Sequence, residues 1–330
     1  MRPSITNEWV RPVGLLLAVP ALALTCIWSP ATWLTLTFAG LASGIMLFIM
    51  ASGLSMIFGL MDVLNFGHGA FITIGAYTGW VVLGLLGGPV SSTHLSLNVL
   101  SIVAASGLAI LCAGLLGLLF ERVVVRKVYG DHLKQILITL GGAIVIEQLV
   151  MMIWGPQEKT LGLPVRLSGT LSIAGATIER YRVFVIVIGL AVLVAMHLVL
   201  TRTRLGLIVR AGVQDREMVE ALGYRIDRVF VLVFMAGAGL AGFGGVLWAL
   251  SEGSLNSAIG SRTLVLILIV IMIGGPGSIA GTFVASLLVA LMGSYMAYLA
   301  PKVALASTVL LMVSILMWRP GGLFAQEKER

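Results

Sequence analysis

The chain has 330 residues, of which 59% are hydrophobic and 11% charged, with a mean hydropathy of +1.07. A soluble domain carries about a quarter charged residues, so this composition excludes a water-coated globule and sets most side chains against lipid or other helices. The formal net charge is +7, but the basic residues lie in short stretches between apolar runs. That arrangement fits orientation in a membrane by the positive-inside rule and argues against nucleic-acid binding.

Ten apolar runs follow one another along the chain: 13–28, 33–58, 63–86, 95–120, 136–154, 183–200, 229–250, 264–279, 283–299 and 303–318. They are continuously apolar, and a helical span needs about 20 such residues, so they predict an all-α fold: a polytopic transmembrane helix bundle forming one domain over residues 1–330. Arg2 and Arg11 precede the first run, which reads as an uncleaved first segment. With the N-terminus inside, the gaps on the inner side hold 15 of the 21 Lys and Arg residues. This count predicts that both termini are cytoplasmic. Gly274, Gly275, Pro276 and Gly277 interrupt the run at 264–299, which fits either two spans or a re-entrant hairpin. Cys26 and Cys112 fall inside apolar runs and read as small buried hydrophobes, with no disulfide or metal site implied.

The 40 glycines concentrate within the segments. Gly40 and Gly44 make a GxxxG pair, and Gly237, Ala241 and Gly245 repeat the spacing, as expected where helix backbones approach closely in lipid.

Three stretches carry candidate function. In DVLNFGHGAFITIGAY, from Asp62 to Tyr77, the residues Asp62, Asn65 and His68 stand among glycines that loosen a helix. Two readings stand: Asn65 and His68 cap backbone groups freed by the break, or the stretch is a gate or pathway element. Glu147 lies near the middle of the run 136–154, where a charge costs about 2.5–3.5 kcal/mol on insertion scales. It reads as a hydrogen bond to a neighbouring helix or as part of a pathway. His197 reads as an interfacial residue near the inner end of its segment.

The third stretch is the loop 201–228, predicted to be cytoplasmic. Within it Gln214 and Asp215 precede a short helix, Asp215 as a possible N-cap and Gly223 as the left-handed stop. Met218, Val219, Ala221 and Leu222 supply its apolar side; Arg216, Glu217 and Glu220 supply the polar one. A polar face of mixed sign suits a protein groove better than an anionic lipid surface. The loop 155–182, predicted to be periplasmic, holds Glu158, Lys159, Arg166, Glu179, Arg180 and Arg182. It reads either as a solvated loop or as a rim for a partner protein.

GLSMIFGLMDVLNFGHGAFITIGAY, the loop from TRTRLGLIVRA to EALGYRIDR, AGAGLAGFGGVLWAL, GGPGSIAGTFVASLL and RPGGLF, in that order, make the sequence resemble the permease subunits of branched-chain amino acid ABC importers. The resemblance implies a multi-pass protein of the bacterial inner membrane, paired with a second, related permease. It also implies two cytoplasmic ATPase subunits and a periplasmic substrate-binding protein. The loop from Gln214 to Tyr224 would then be the coupling element. The chain has no G-x-x-x-x-G-K-[ST] sequence, so no cofactor is expected in it, and ATP and Mg would be held by the ATPase partners. The expected activity is transport and not catalysis; no Ser/His/Asp set or cofactor fingerprint is present. Related importers also handle urea, amides and small carboxylates. An ion-coupled secondary transporter using Glu147, Asp62 or His68 is the rival reading.

Overall fold

The computed structural model describes residues 5–204, 206–208, 211, 216–223 and 226–324. Each of the ten apolar runs is a helix. In chain order these are α1 (Ile5–Cys26), α2 (Pro30–Met61), α3 (His68–Leu85), α5 (Leu95–Val123), α6 (His132–Trp154), α7 (Arg180–Arg202), α9 (Ile226–Glu252), α10 (Ile259–Gly274), α11 (Ile279–Leu299) and α12 (Ala304–Trp318). Among the shorter helices between them are α4 (Gly87–Ser91) and α8 (Arg216–Ala221). Among the described residues eight helices are long and apolar enough to cross a membrane, and the apolar parts of α1 and α10 are shorter. The all-α bundle expected from the sequence is therefore present. The stretch around Gly274–Gly277 separates two distinct helices, with Gly275 and Gly277 in the positive-φ region that glycine adopts without strain.

Helices α2, α3, α5, α9 and α11 form the centre, and glycine sets how closely they meet. Gly40 and Gly44 of α2 face Leu291 and Leu287 of α11, where an added Cβ would lie 3.0 Å from each leucine Cα. Gly237 of α9 lies against Gly53 of α2, Gly242 against Gly75 of α3, and Gly245 against the backbone of Ile72. Such approach maximises dispersion contact where no hydrophobic drive separates protein from lipid. A T-shaped aromatic group fills the space below these contacts: Phe71 meets Phe120 and Phe234 at centroid separations of 5.7 and 6.0 Å.

Helices α6, α7 and α12 surround this centre and leave large apolar side chains such as Ile144, Val187 and Leu310 exposed, as a lipid-facing layer requires. Tyr181 ties α7 inward by donating to the carbonyl of Leu247 at 2.7 Å. Cys112 is partly buried, but Cys26 is exposed at the end of α1, contrary to the expectation of two buried thiols.

The loop 155–182 is more ordered than a plain loop. Strands β2 (Thr170–Ile173) and β3 (Ala176–Glu179) pair as an antiparallel hairpin whose turn residues, Ala174 and Gly175, both have positive φ. Strand β1 (Lys159–Thr160) pairs with β4 (Ser254–Leu255) just after α9, in the register Lys159↔Leu255 and Thr160↔Ser254.

Candidate functional site

The sequence places a segment over 63–86, but the helix begins only at His68. Helix α2 ends at Asp62, whose φ of 51° is left-handed and whose N–H bonds Phe58 O at 2.9 Å. Residues 62–67 then run without helix beside the first two turns of α6. Asp62 Oδ2 lies 3.8 Å from His132 Nε2. The N–H of Leu64 donates to Gln135 Oε1 at 3.4 Å, and that of Phe66 to Thr139 Oγ1 at 3.1 Å. Asn65 Oδ1 accepts from the Gly67 N–H at 2.9 Å. Side chains thus satisfy backbone donors that a helix would have used, which lets an extended stretch survive inside the bundle. Gln135 and Thr139 are the residues sequence reasoning missed; nothing in an apolar run marks which of its polar side chains will face a neighbouring backbone.

His68 opens α3 fully enclosed, with its ring 3.0 Å from Met50 O through Nε2. A carbonyl only accepts, so Nε2 carries a proton. His68 Nδ1 and Asn65 Nδ2 are buried and have no hydrogen-bond partner among the described residues. One turn on, α3 meets the start of α10. Gly69 lies against Gly260, and Thr73 Oγ1 accepts from the Gly260 N–H at 3.2 Å. Ser261, the next residue, donates to Glu147 Oε2 at 3.3 Å. The structure therefore brings His68, Glu147 and the head of α10 into one neighbourhood, while Asp62 stands apart, exposed beside His132.

The second site is the short helix α8. Gly223 has a φ of 85°, and its N–H bonds Glu220 O at 2.9 Å, the stop expected from the sequence. The apolar residues do not share one side. Val219 is 5% exposed and packs into the core, whereas Met218 and Leu222, one turn apart, are 58% and 68% exposed. Glu220 is exposed too; Arg216 and Glu217 lie in the helix, and Gln214 and Asp215 fall outside the described residues. Beside α8 a cleft of about 910 Å³ is lined by Arg122, Arg126, Glu220, Asp227, Arg228 and Met235. Arg126 Nη2 reaches Asp227 Oδ2 at 3.4 Å and joins the α5–α6 link to the foot of α9. At that end of the bundle Asp131 caps α6 by accepting from the Lys134 N–H at 3.1 Å. Its carboxyl is held below the ordinary carboxylate value, first by the Lys134 side chain and then by that backbone bond. Among the described residues no three His, Cys, Asp or Glu side chains are grouped to hold a metal.

A helix break held by the side chains of α6, a glycine-packed junction, and a short helix with Met218 and Leu222 exposed are the features the candidate residues occupy. The chain is 29% identical to the high-affinity branched-chain amino acid transport system permease protein BraD of Pseudomonas aeruginosa, over 76% of this chain and 81% of that protein. It is 25% identical to LivH of Escherichia coli, a protein of the same description, over 88% of this chain and 94% of LivH. LivH of Methanocaldococcus jannaschii, described as a probable permease of this kind, is 24% identical over 77% of this chain and 78% of that protein. No solved structure matches the chain. The family described as branched-chain amino acid transport system, permease component, matches residues 36–318, and to that family of multi-pass membrane proteins the chain belongs.

Proposed function

We propose that the chain is one of two related permease halves of an ABC importer for branched-chain or related amino acids in the bacterial inner membrane. Both termini and α8 face the cytoplasm, where two ATPase subunits bind ATP and Mg. The loop 155–182 faces a periplasmic binding protein. The observation that carries the coupling role is the outward pair Met218 and Leu222 on a helix fixed from beneath by Val219. Exposed apolar side chains at i and i+4 on a short helix are the anchors by which a helix seats in a partner's groove. The acidic and basic groups of the adjacent cleft add orientation to that contact.

The pathway role falls to His68, Asn65 and Glu147 at the junction of α3 and α10, with Asp62 at its exposed end. The rival ion-coupled reading needs a relay of titratable groups. Instead, Asp62 lies apart beside His132, and at the junction His68 is bonded to Met50 O and Glu147 to Ser261, with no hydrogen bond between the two among the described residues. Co-expression with neighbouring ATPase and binding-protein genes, followed by reconstitution, tests the proposal. ATP-dependent leucine uptake that needs all components is expected; uptake by this chain alone under a proton gradient would overturn it.

A further inference from the structure

The hairpin between α9 and α10 does not close flush. Glu252 ends α9, Gly253 turns the chain with a φ of 72°, and Ser254–Leu255 pair with β1. The chain then descends before α10 begins. Gly260, at the head of α10, bonds Thr73, and the neighbouring Ile72 abuts Gly245 of α9. Gly245 lies seven residues before Glu252, so α10 starts roughly 10 Å short of the end of α9, at 1.5 Å per residue. Above this low start lies a cleft of about 420 Å³, distinct from the one beside α8.

Its lining is of two kinds. Trp248, Ile259 and Leu266 form an apolar wall, and Glu158, Glu252 and Arg262 bring both signs of charge. Two of the charged groups are held in place. Glu158 Oε1 accepts from Ser254 Oγ at 2.6 Å, and Arg262 Nη2 donates to Asn256 Oδ1 at 2.7 Å. Lys159, the nearby cation of β1, is set over the Trp80 ring, 5.9 Å from its centroid. Among the described residues Glu252 has no hydrogen-bond or ion-pair partner, and Arg262 has no ion pair. One guanidinium with spare donors and the unpartnered carboxylate of Glu252 therefore share a recess with an aromatic and aliphatic wall, the second carboxylate, Glu158, being tied to Ser254.

We infer that this cleft is a receiving site for a zwitterionic α-amino acid with an apolar side chain: Arg262 takes the carboxylate, Glu252 the ammonium, and Trp248, Ile259 and Leu266 the side chain. The inference rests on the proposed role in amino acid import and adds to it a place in this chain where substrate is read. A guanidinium binds a carboxylate through paired donors, and a ligand lacking either charge leaves one partner unmatched. The site stands at the end of the bundle that carries the loop 155–182, directly above the α3–α10 junction.

The test uses the complete permease–ATPase complex without its binding protein, with ligand binding read by saturation-transfer NMR. The probes are leucine, 3-methylbutylamine, which lacks the carboxylate, and 4-methylpentanoate, which lacks the ammonium. Leucine is expected to bind, and each analogue to bind on the order of tenfold more weakly. Arg262→Gln should erase the difference between leucine and the amine, and Arg262→Lys should restore part of it. Glu252→Gln should erase the difference between leucine and the acid. Equal binding of all three ligands, or differences that survive both variants, would overturn the site. Absence of leucine binding in a complex that imports leucine sinks the site and leaves the importer standing. Both signatures in a complex that imports no amino acid would sink the importer and leave the site.

Discussion

The α3–α10 junction and the helix α8 are both short irregular features, yet they are held in opposite ways. At the junction backbone meets backbone: Gly69 against Gly260, Thr73 bonded to Gly260, and His68 fully enclosed. At α8 Val219 reaches the core, while Met218 and Leu222 face outward. The first region is held from several sides by this chain, and the second carries the surface for which a docking role is proposed. The difference teaches where each kind of substitution will register: in folding at the junction, in coupling at α8.

The largest expected effect is Gly260→Val. A Cβ there would lie 2.6 Å from the Gly69 carbonyl carbon and 2.5 Å from Thr73 Oγ1, so the backbone of α3 would have to yield. Overpacking of this kind costs about 1–3 kcal/mol or more, so detergent-solubilised protein should lose its monodisperse peak and its cooperative melt. Gly84→Ala is the matched control, since nothing lies within 4 Å of that position; it should melt at or slightly above the parent temperature. If the two variants behaved alike, the tight contact would not be what holds the junction.

Next is Met218→Asp combined with Leu222→Asp. Both positions are exposed, so the melt should stay within a few degrees of the parent. Loss of two interface anchors should lower binding-protein-stimulated ATPase activity by about tenfold or more. A fall in thermal stability with coupling intact would invert the comparison. Smaller again is Thr139→Val, which keeps volume but takes the acceptor from the buried-side N–H of Phe66. A cost of about 1–3 kcal/mol is expected, read as a lower melting temperature. Gln135→Leu should cost less, because its bond to Leu64 is long at 3.4 Å.

The smallest effect concerns pH at the foot of α6. The carboxyl of Asp131 is lowered in the folded chain from an ordinary value of 3.8. A depressed acid stabilises the fold above its unfolded value, and that contribution fades as pH falls through the folded one. Acidification below about pH 4 should therefore lower the protection of the Lys134 amide against hydrogen exchange, relative to its intrinsic rate at each pH, whereas Asp131→Asn should show no such acid step.

Number, type and order of the ten helices were legible in the sequence because each depends on a run of apolar residues that no fold partner has to complete. The stop at Gly223 was legible for the same reason: a positive φ is a local property. The late start of α3 was not. Val63 and Leu64 look like the head of a span, and only the side chains of α6, some 70 residues further on, keep them extended. The facing of Met218 and Val219 was hidden as well, since six helical residues are too few for a periodic pattern to choose a side. Glu147 was legible as a buried-charge problem, and its partner, Ser261, lies 114 residues away.

The glycine contacts of α9 along α2 and α3 have a mechanical consequence. A seam set largely by glycine backbone has little that can give way, and shifting α9 by one residue would bring Phe243 to the slot of Gly242. A slip of α9 along its neighbours is therefore blocked at the glycines themselves, and the register of the three helices is keyed by residues that carry no side chain.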